Sequence, residues 1–416
     1  MRILKLPGYF YPEQISSSHL TKDLNEAYLK AGFTFVNYVP TPTRGISDEV
    51  RKEYKTKKYE ELDGGKVIVH RFSMFREGKN PIQRTIRYVL VNIIQYFKGS
   101  SAKDIDLILS GSTPPTQGLL CGLVKKRLSK RYGKEVPFVY NLQDVFPDSL
   151  VNAKMTKKGS LIWKIGRKIE DFTYCSADKI IVISEDIKKN IMDKGVPEEK
   201  IEIIPNWIDT KKVVPIERKD NVLFDELNLD REKFYVTYAG NLGTAQGIDT
   251  IIETARLMTE NAAIQVVLFG DVANKKDIVE QIKGLPNTAI FPLQPQSRVS
   301  EVYSIGDLSI VACKKNVGGG AVPSKTFSIM ATATPILLSF DKDTALWNLI
   351  QAHDCGYVTE AENPVAMKNA ILCAFSDTNE CRNKGLRGRS LVETSYDKLK
   401  GTQKYVDVIY SLVTHH

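Results

Sequence analysis

The chain has 416 residues, 42% hydrophobic and 26% charged, with a formal charge of +9. Two domains or one large one are expected, of ordinary soluble globular balance, and no apolar stretch is long enough to span a bilayer. The positive excess fits an anionic membrane surface, a phosphorylated substrate or nucleic acid, and does not choose among them.

Six cysteines, at 121, 175, 313, 355, 373 and 381, are scattered without a CxxC pair. That argues against a zinc or redox motif and for small core residues in a reduced, cytoplasmic setting. Met1–Leu6 reads as a short β-run leading straight into a loop, so no signal peptide is expected.

In chain order, RILKL is a strand, followed by the loop PGYFYPEQISSS. A helix from about His19 to Ala31 ends at Gly32, and TFVNYV is the next strand. Residues 41–65 are polar and charged with little periodicity, which predicts a mobile excursion. KVIVHRF is a strand. In NPIQRTIRYVLVNIIQYFK, Ile82, Ile86, Val89, Ile93 and Phe97 recur at helical spacing, flanked by Arg84, Arg87 and Lys98. Such a helix either packs on a core with a basic solvated side or lies on an anionic bilayer.

DLILSGS then runs through a loop into the helix pattern QGLLCGLVKKRL, and PFVYNLQD and KIIVIS are strands. The second half repeats the design: FYVTYAG, AIQVVLFG, TAIFPL, LSIVAC and TPILLSF each precede a helix pattern. Strands alternating with helices predict parallel βαβ units, here two Rossmann-like doubly wound α/β domains. Ligands in such sheets sit at the carboxyl ends of the strands, so a cleft between the domains is the expected site. The boundary falls near KIEIIPNWIDT, giving domains at 1–205 and 206–395. The segment 396–416 is expected to form a C-terminal helix packing back on the first domain.

Two loops of the second half stand out. In FYVTYAGNLGTAQG, Gly240, Gly243 and Gly247 let the backbone approach a ligand, and the following helix offers a positive dipole end. A second glycine-rich turn, GGGAVPSK, precedes another apolar helix pattern. Together they suggest a nucleotide diphosphate; either alone is equally a tight β-to-α connection.

The chain as a whole resembles the retaining glycosyltransferases of family 4, in the branch that builds bacterial O-antigen and capsule polysaccharides. The carriers are GYFYPE, SGSTPPTQGLL, LQDVFPDS, IIVISEDIKKNI, IPNWID, YAGNLGTAQGIDTIIETA, VPSKTFSIMATATPIL and CGYVTEAENPVAMKNAI. The resemblance implies the GT-B fold, two Rossmann-like domains facing across a deep cleft. It also implies sugar transfer from a UDP- or GDP-sugar donor to a lipid-linked, polyprenyl-diphosphate-borne saccharide, without a metal or other cofactor.

This sequence departs from the family pattern. Where the family has two glutamates spaced Glu-x7-Glu, Gly320 and Ser328 stand. Asn241 and Gln246 replace the usual Arg and Lys of the first loop. Lys325, in the PSK triplet, is then the best remaining cation for the diphosphate. The expected donor site comprises Asn241, Gly243, Gln246, Gly247, Gly270, Gly319, Gly320, Pro323, Ser324, Lys325 and Ser328. Gln143 and Asp144 stand where many members have a His-Asp pair, so Asp144 is expected to touch the sugar or acceptor hydroxyl; helix capping is its other use. Glu13, in the first loop, is expected to orient the acceptor, and Ser16, Ser17 and Ser18 to cap the first helix and line the same region.

Such transfer needs little acid–base chemistry from the protein, because the leaving diphosphate takes the acceptor proton; the protein stabilises charge and excludes water. Competing readings are a nucleotide-sugar 2-epimerase, although His19, His70 and His353 sit in no matching motif, and a silent scaffold that has lost both glutamates. A dinucleotide oxidoreductase lacks GxGxxG after the first strand, and nucleic-acid binding rests on charge alone. The expected setting is the cytoplasm, with peripheral attachment to the anionic inner membrane as the further expectation.

Overall fold

The computed structural model describes residues 1–13, 18–78, 80–152, 155–271, 276–320 and 322–413. Ser16 and Ser17 therefore lie outside the described residues, and the first helix, Ser18–Lys30, begins at Ser18. The chain divides into two compact units, Met1–Pro205 with Gly401–His416, and Asn206–Lys400.

The first unit is built on eight strands: β1 Arg2–Lys5, β2 Thr34–Pro40, β3 Tyr59–Leu62, β4 Val67–Phe72, β5 Leu107–Gly111, β6 Phe138–Leu142, β7 Lys179–Val182 and β8 Ile201–Ile203. Their order is β3-β4-β2-β1-β5-β6-β7-β8. All pairings are parallel except β3 with β4. Chain order reverses direction between β1 and β5, which makes that crevice the switch point of the sheet.

The segment 41–65 is a correction to the sequence reading: it is not an irregular excursion. It holds the helix Asp48–Thr56, whose N-cap Ser47 accepts from Val50 N, and whose Arg51 and Tyr54 are buried. It also holds β3, an antiparallel edge strand. Neither has a sequence-level hydrophobic stripe. The helix is fixed by its cap and two buried side chains, the strand by its partner's backbone.

The helix Pro81–Ser100 starts with Pro81 at its first turn and an Asn80 cap that accepts from Ile82 N at 2.8 Å. It packs against the helix Gln117–Tyr132, which also packs against the helix Leu161–Ser176. No helix among the described residues is long and apolar enough to cross a membrane.

The second unit has six parallel strands: β9 Phe234–Ala239, β10 Ile264–Gly270, β11 Thr288–Pro292, β12 Leu308–Ala312, β13 Ile336–Phe340 and β14 Gly356–Glu360. Their order is β11-β10-β9-β12-β13-β14, with the switch point between β9 and β12. Every residue of β9 is buried. That is why it reads as an almost continuous apolar run, broken at Thr237, whose hydroxyl shares a hydrogen bond with that of Ser309: helices cover both faces of a parallel sheet. Successive residues feed opposite cores. Val266 and Leu268 join one cluster with Ile310 and Leu337, while Val267 and Phe269 join the other with Val311 and Leu338. The unit runs to Lys400, beyond the expected residue 395. Ile208 pairs with Asp397, Lys398 N donates to the Ile208 carbonyl at 2.9 Å, and Thr210 bonds the Asp397 carboxylate at 2.6 Å.

Candidate active site

In the second unit the loop after β9 crosses the switch point. Gly247 has φ +63°, and a Cβ there would stand 3.1 Å from the Cys313 carbonyl at the end of β12. Gly240, at φ +144°, faces the Lys325 ammonium: a Cβ would lie 3.9 Å from Nζ. Only glycine holds both places without strain. Lys314 N donates to the Ala245 carbonyl at 3.0 Å and ties the two loops together.

Lys325 opens the helix Lys325–Ala331. Its Nζ lies 3.9 Å from the centroid of the Tyr238 ring, and the Tyr238 hydroxyl donates to the Asn241 carbonyl at 2.7 Å. The residue is partly exposed, yet protein packed around the amine pushes its pKa down to about 7. Among the described residues no carboxylate pairs with it. A desolvated cation held over an aromatic face, beside a glycine backbone and without a counter-ion among the described residues, can hold an anion. Ser328, buried, is three residues further along the same helix and so shares its side.

The remaining donor-site expectations fall into two groups. Asn241 is exposed, Gln246 half-buried in the turn Thr244–Gln246, and Gly243 meets only the Asn241 side chain. Pro323 and Ser324 lead into the helix, the Pro323 carbonyl accepting from Thr326 N at 3.0 Å, and Ser324 makes no side-chain cap bond. Gly319 and Gly320 lie in the turn Gly318–Gly320, and a Cβ on Gly319 would meet open space. Gly270 is different: a Cβ there would stand 2.4 Å from Leu242 Cγ, so its smallness lets the first loop pack on β10. Two contributors escaped sequence reading. Tyr238 looks like one more strand residue. Asp341 accepts from Asn316 N and Gly318 N, both at 2.8 Å, and fixes the second loop from the end of β13.

In the first unit the switch point brings the loop after β1 against the loop after β5; a Cβ on Gly8 would lie 2.6 Å from Pro114 Cδ. Gln117, 2% exposed, sits beside them, and among the described residues neither polar atom of its amide has a hydrogen-bond partner. A sugar hydroxyl both donates and accepts, which matches what this amide lacks. Gln143 and Asp144 follow β6. Gln143 N donates to Ser112 Oγ at 3.1 Å, and its amide donates to Asn141 Oδ1 at 2.8 Å. Asn141 Oδ1 also accepts from Tyr405 of the C-terminal helix Lys398–Val413, at 3.1 Å. Solvent reaches Asp144, but desolvation by the surrounding protein raises its carboxyl pKa, opposed by hydrogen bonds from Ser149 and the Val145 N–H.

Glu13 is placed away from this role. Its side chain accepts from Thr43 N at 2.7 Å, Thr43 Oγ1 at 3.1 Å, Arg44 N at 3.0 Å and Phe10 N at 3.0 Å. It is a buried clamp between the loops after β1 and β2.

The family model described as Glycosyltransferase Family 4 matches residues 18–212, and the one described as Glycosyl transferases group 1 matches residues 220–390. The probable glycosyltransferase WbjE of Pseudomonas aeruginosa is 27% identical over 354 residues, 82% of this chain and 84% of that protein. The putative colanic acid biosynthesis glycosyl transferase WcaI of Escherichia coli is 26% identical over 237 residues, 56% of this chain and 58% of its own length. The UDP-Gal:alpha-D-GlcNAc-diphosphoundecaprenol alpha-1,3-galactosyltransferase of Escherichia coli is 22% identical over 246 residues, 56% of this chain and 61% of that protein. Among solved structures, Anabaena Alr3699/HepE in complex with UDP and glucose superposes with a TM-score of 0.71 at 14% identity, covering 99% of this chain and all of that one. The two parallel-sheet units are therefore those of the GT-B fold, and the chain belongs to glycosyltransferase family 4.

Proposed function

We propose that this chain transfers a sugar, with retention, from a UDP- or GDP-sugar to a saccharide carried on a polyprenyl diphosphate, in the synthesis of a bacterial surface polysaccharide. The observation that carries the reading is Lys325: a desolvated amine without a counter-ion, over Tyr238 and against Gly240. The donor diphosphate supplies the missing negative charge. The bond between the sugar's anomeric carbon and the phosphate oxygen breaks, and a bond to the acceptor oxygen forms on the same face. The acceptor proton passes to the departing diphosphate, whose charge Lys325 and the loop backbone stabilise. Asp144 accepts a hydrogen bond from the incoming hydroxyl. Ser328 replaces an acid with a neutral hydroxyl that still hydrogen-bonds the donor.

The acceptor reading draws on two supports. One relative's name carries a diphosphoundecaprenol acceptor and a UDP-sugar donor. The other is the surface of the first unit. On the helix Pro81–Ser100, Ile82, Ile86, Val89, Leu90, Ile93 and Phe97 are 41–70% exposed. On the helix Leu161–Ser176, Leu161, Ile162 and Ile165 are exposed, with Lys164 and Lys168 exposed among them. Apolar ridges studded with lysine suit the inner face of an anionic membrane.

The test is product formation, followed by mass spectrometry, from a panel of nucleotide-sugars and polyprenyl-diphosphate-linked sugars. One donor–acceptor pair is expected to give product. No transfer and no donor hydrolysis from any pair, with no nucleotide bound, would instead mark a silent scaffold.

A further inference from the structure

Glu77 lies in the loop after β4, its side chain 6% exposed, and is ringed by cations. Arg44, from the loop after β2, donates to its carboxylate through Nε at 3.2 Å and Nη2 at 2.7 Å. Arg84 Nε stands 2.9 Å from Oε1, and Arg87 Nη1 3.9 Å from Oε2. Tyr9, from the loop after β1, donates its hydroxyl at 2.9 Å, and Tyr88 donates at 3.3 Å. Arg51, close behind, spends its donors on the carbonyls of Pro42 and Met74. Among the described residues, four arginines (44, 51, 84 and 87) stand against two carboxylates (Glu13 and Glu77), Arg76 being paired with Asp48, and two positive charges are left over.

Arg87 marks where the compensation fails. Its side chain is wholly buried, Nε donates to the Phe75 carbonyl at 3.2 Å, and among the described residues neither Nη1 nor Nη2 has a hydrogen-bond partner. Burying a guanidinium with unpaired donors is costly, and an anion drawn to the cluster offsets that cost. Two members remain open to solvent: the Arg44 and Arg84 side chains are 35% and 41% exposed. Every loop involved leaves the carboxyl end of β1, β2 or β4, the ligand end of a doubly wound sheet. Arg84 and Arg87 also belong to the helix whose exposed apolar stripe starts at Ile82 and Ile86.

We propose that Arg44, Arg84 and Arg87 form an anion site that holds the diphosphate of the lipid-linked acceptor. This rests on the acceptor reading above. Arginine forks match phosphate oxygens, two uncompensated charges match a diphosphate, and the adjoining apolar stripe lies where the lipid chain enters the membrane. The nucleotide diphosphate of the donor is assigned to the other unit, and a phospholipid headgroup brings only one phosphate.

The test compares calorimetric binding of farnesyl diphosphate, farnesyl monophosphate, UDP and phosphatidylglycerol vesicles to the full chain. Wild type is expected to prefer farnesyl diphosphate. The double variant Arg44→Gln/Arg84→Gln is expected to lose roughly tenfold affinity for it per arginine removed, with UDP binding unchanged. Glu77→Gln separates a ligand site from a structural ion-pair network: removing the competing carboxylate should preserve or tighten binding. Equal weakening by Glu77→Gln and the arginine pair, unchanged affinity in the arginine pair, no binding of farnesyl diphosphate by wild type, or equal binding of the monophosphate or the vesicles would each overturn the site. Should wild type bind farnesyl diphosphate but glycosylate no diphosphate-linked acceptor, the transfer reading falls and the site stands. Should it glycosylate such acceptors with the same acceptor KM in the arginine pair, the site falls and the transfer reading stands.

Discussion

Lys325 is a desolvated amine with which no carboxylate pairs among the described residues. With a free-state pKa near 7, lowered by burial, it is largely neutral at pH 8. A bound diphosphate favours the charged form, so binding at pH 8 must take up a proton, whereas at pH 6 the amine is already charged. Titration of the nucleotide-sugar in buffers of different ionisation heat should show uptake rising from near zero at pH 6 toward about one proton at pH 8, with affinity falling over the same range. Lys325→Ala should remove this dependence and weaken binding by about 1.5–3 kcal/mol. A pH-independent affinity in wild type, or equal affinity in the variant, takes Lys325 out of the site. Sequence reading reached Lys325 by elimination, because the usual loop cations are absent. It did not reach Tyr238 or Asp341, since a ring beneath a lysine and a carboxylate beneath a loop are neighbours only after the strands are ordered. Glu13 shows the converse: its place in a loop suggested a ligand contact, while its four hydrogen bonds make it a clamp.

The helix Pro81–Ser100 tests the element scale. Its periodicity is plain in the sequence, but periodicity alone leaves open whether the apolar stripe faces a core. Here the stripe is exposed, and Arg87, expected beside it as a surface charge, is the buried member of the Glu77 cluster. The helix turns Arg87 inward because the loop after β4 supplies both Glu77 and the Phe75 carbonyl at that point. A charge reversal at Arg87 would therefore test folding rather than membrane binding. The informative variants are Ile86→Asp and Phe97→Asp, at side chains 51% and 67% exposed. Each apolar side chain buried in lipid contributes about 1.5–3 kcal/mol, so either change should cut sedimentation with anionic vesicles about tenfold or more without lowering the melting temperature. Wild type and both variants remaining in the supernatant at low salt would show that this face meets something other than lipid.

At the scale of the whole molecule, the chain returns to its beginning. Residues Gly401–His416 belong to the first unit, with Tyr405 and Ile409 buried and Tyr410 donating to the Ala31 carbonyl at 2.7 Å. A chain ending at Lys400 would lose those buried side chains and the Tyr405 bond to Asn141 beside the Gln143–Asp144 loop. Its first unit should be destabilised by at least about 4 kcal/mol, on the usual cost of emptying two large core positions. Urea unfolding followed by circular dichroism measures this; an unchanged first transition would mean the segment is dispensable.

What the sequence determined by itself is local and periodic. Strands buried on both faces are mostly apolar, helices between them carry stripes, and glycine is favoured where φ is positive, so the βαβ alternation, the two units and the glycine loops were all legible. Tertiary structure alone decided the rest. The helix and edge strand within 41–65 carry no stripe, because a cap, two buried side chains and one partner backbone suffice to hold them. The positive excess became a site only when loops from β1, β2 and β4 were set side by side. Strand order is the physical reason: it is fixed by packing between distant segments, and no local pattern records which loops will meet.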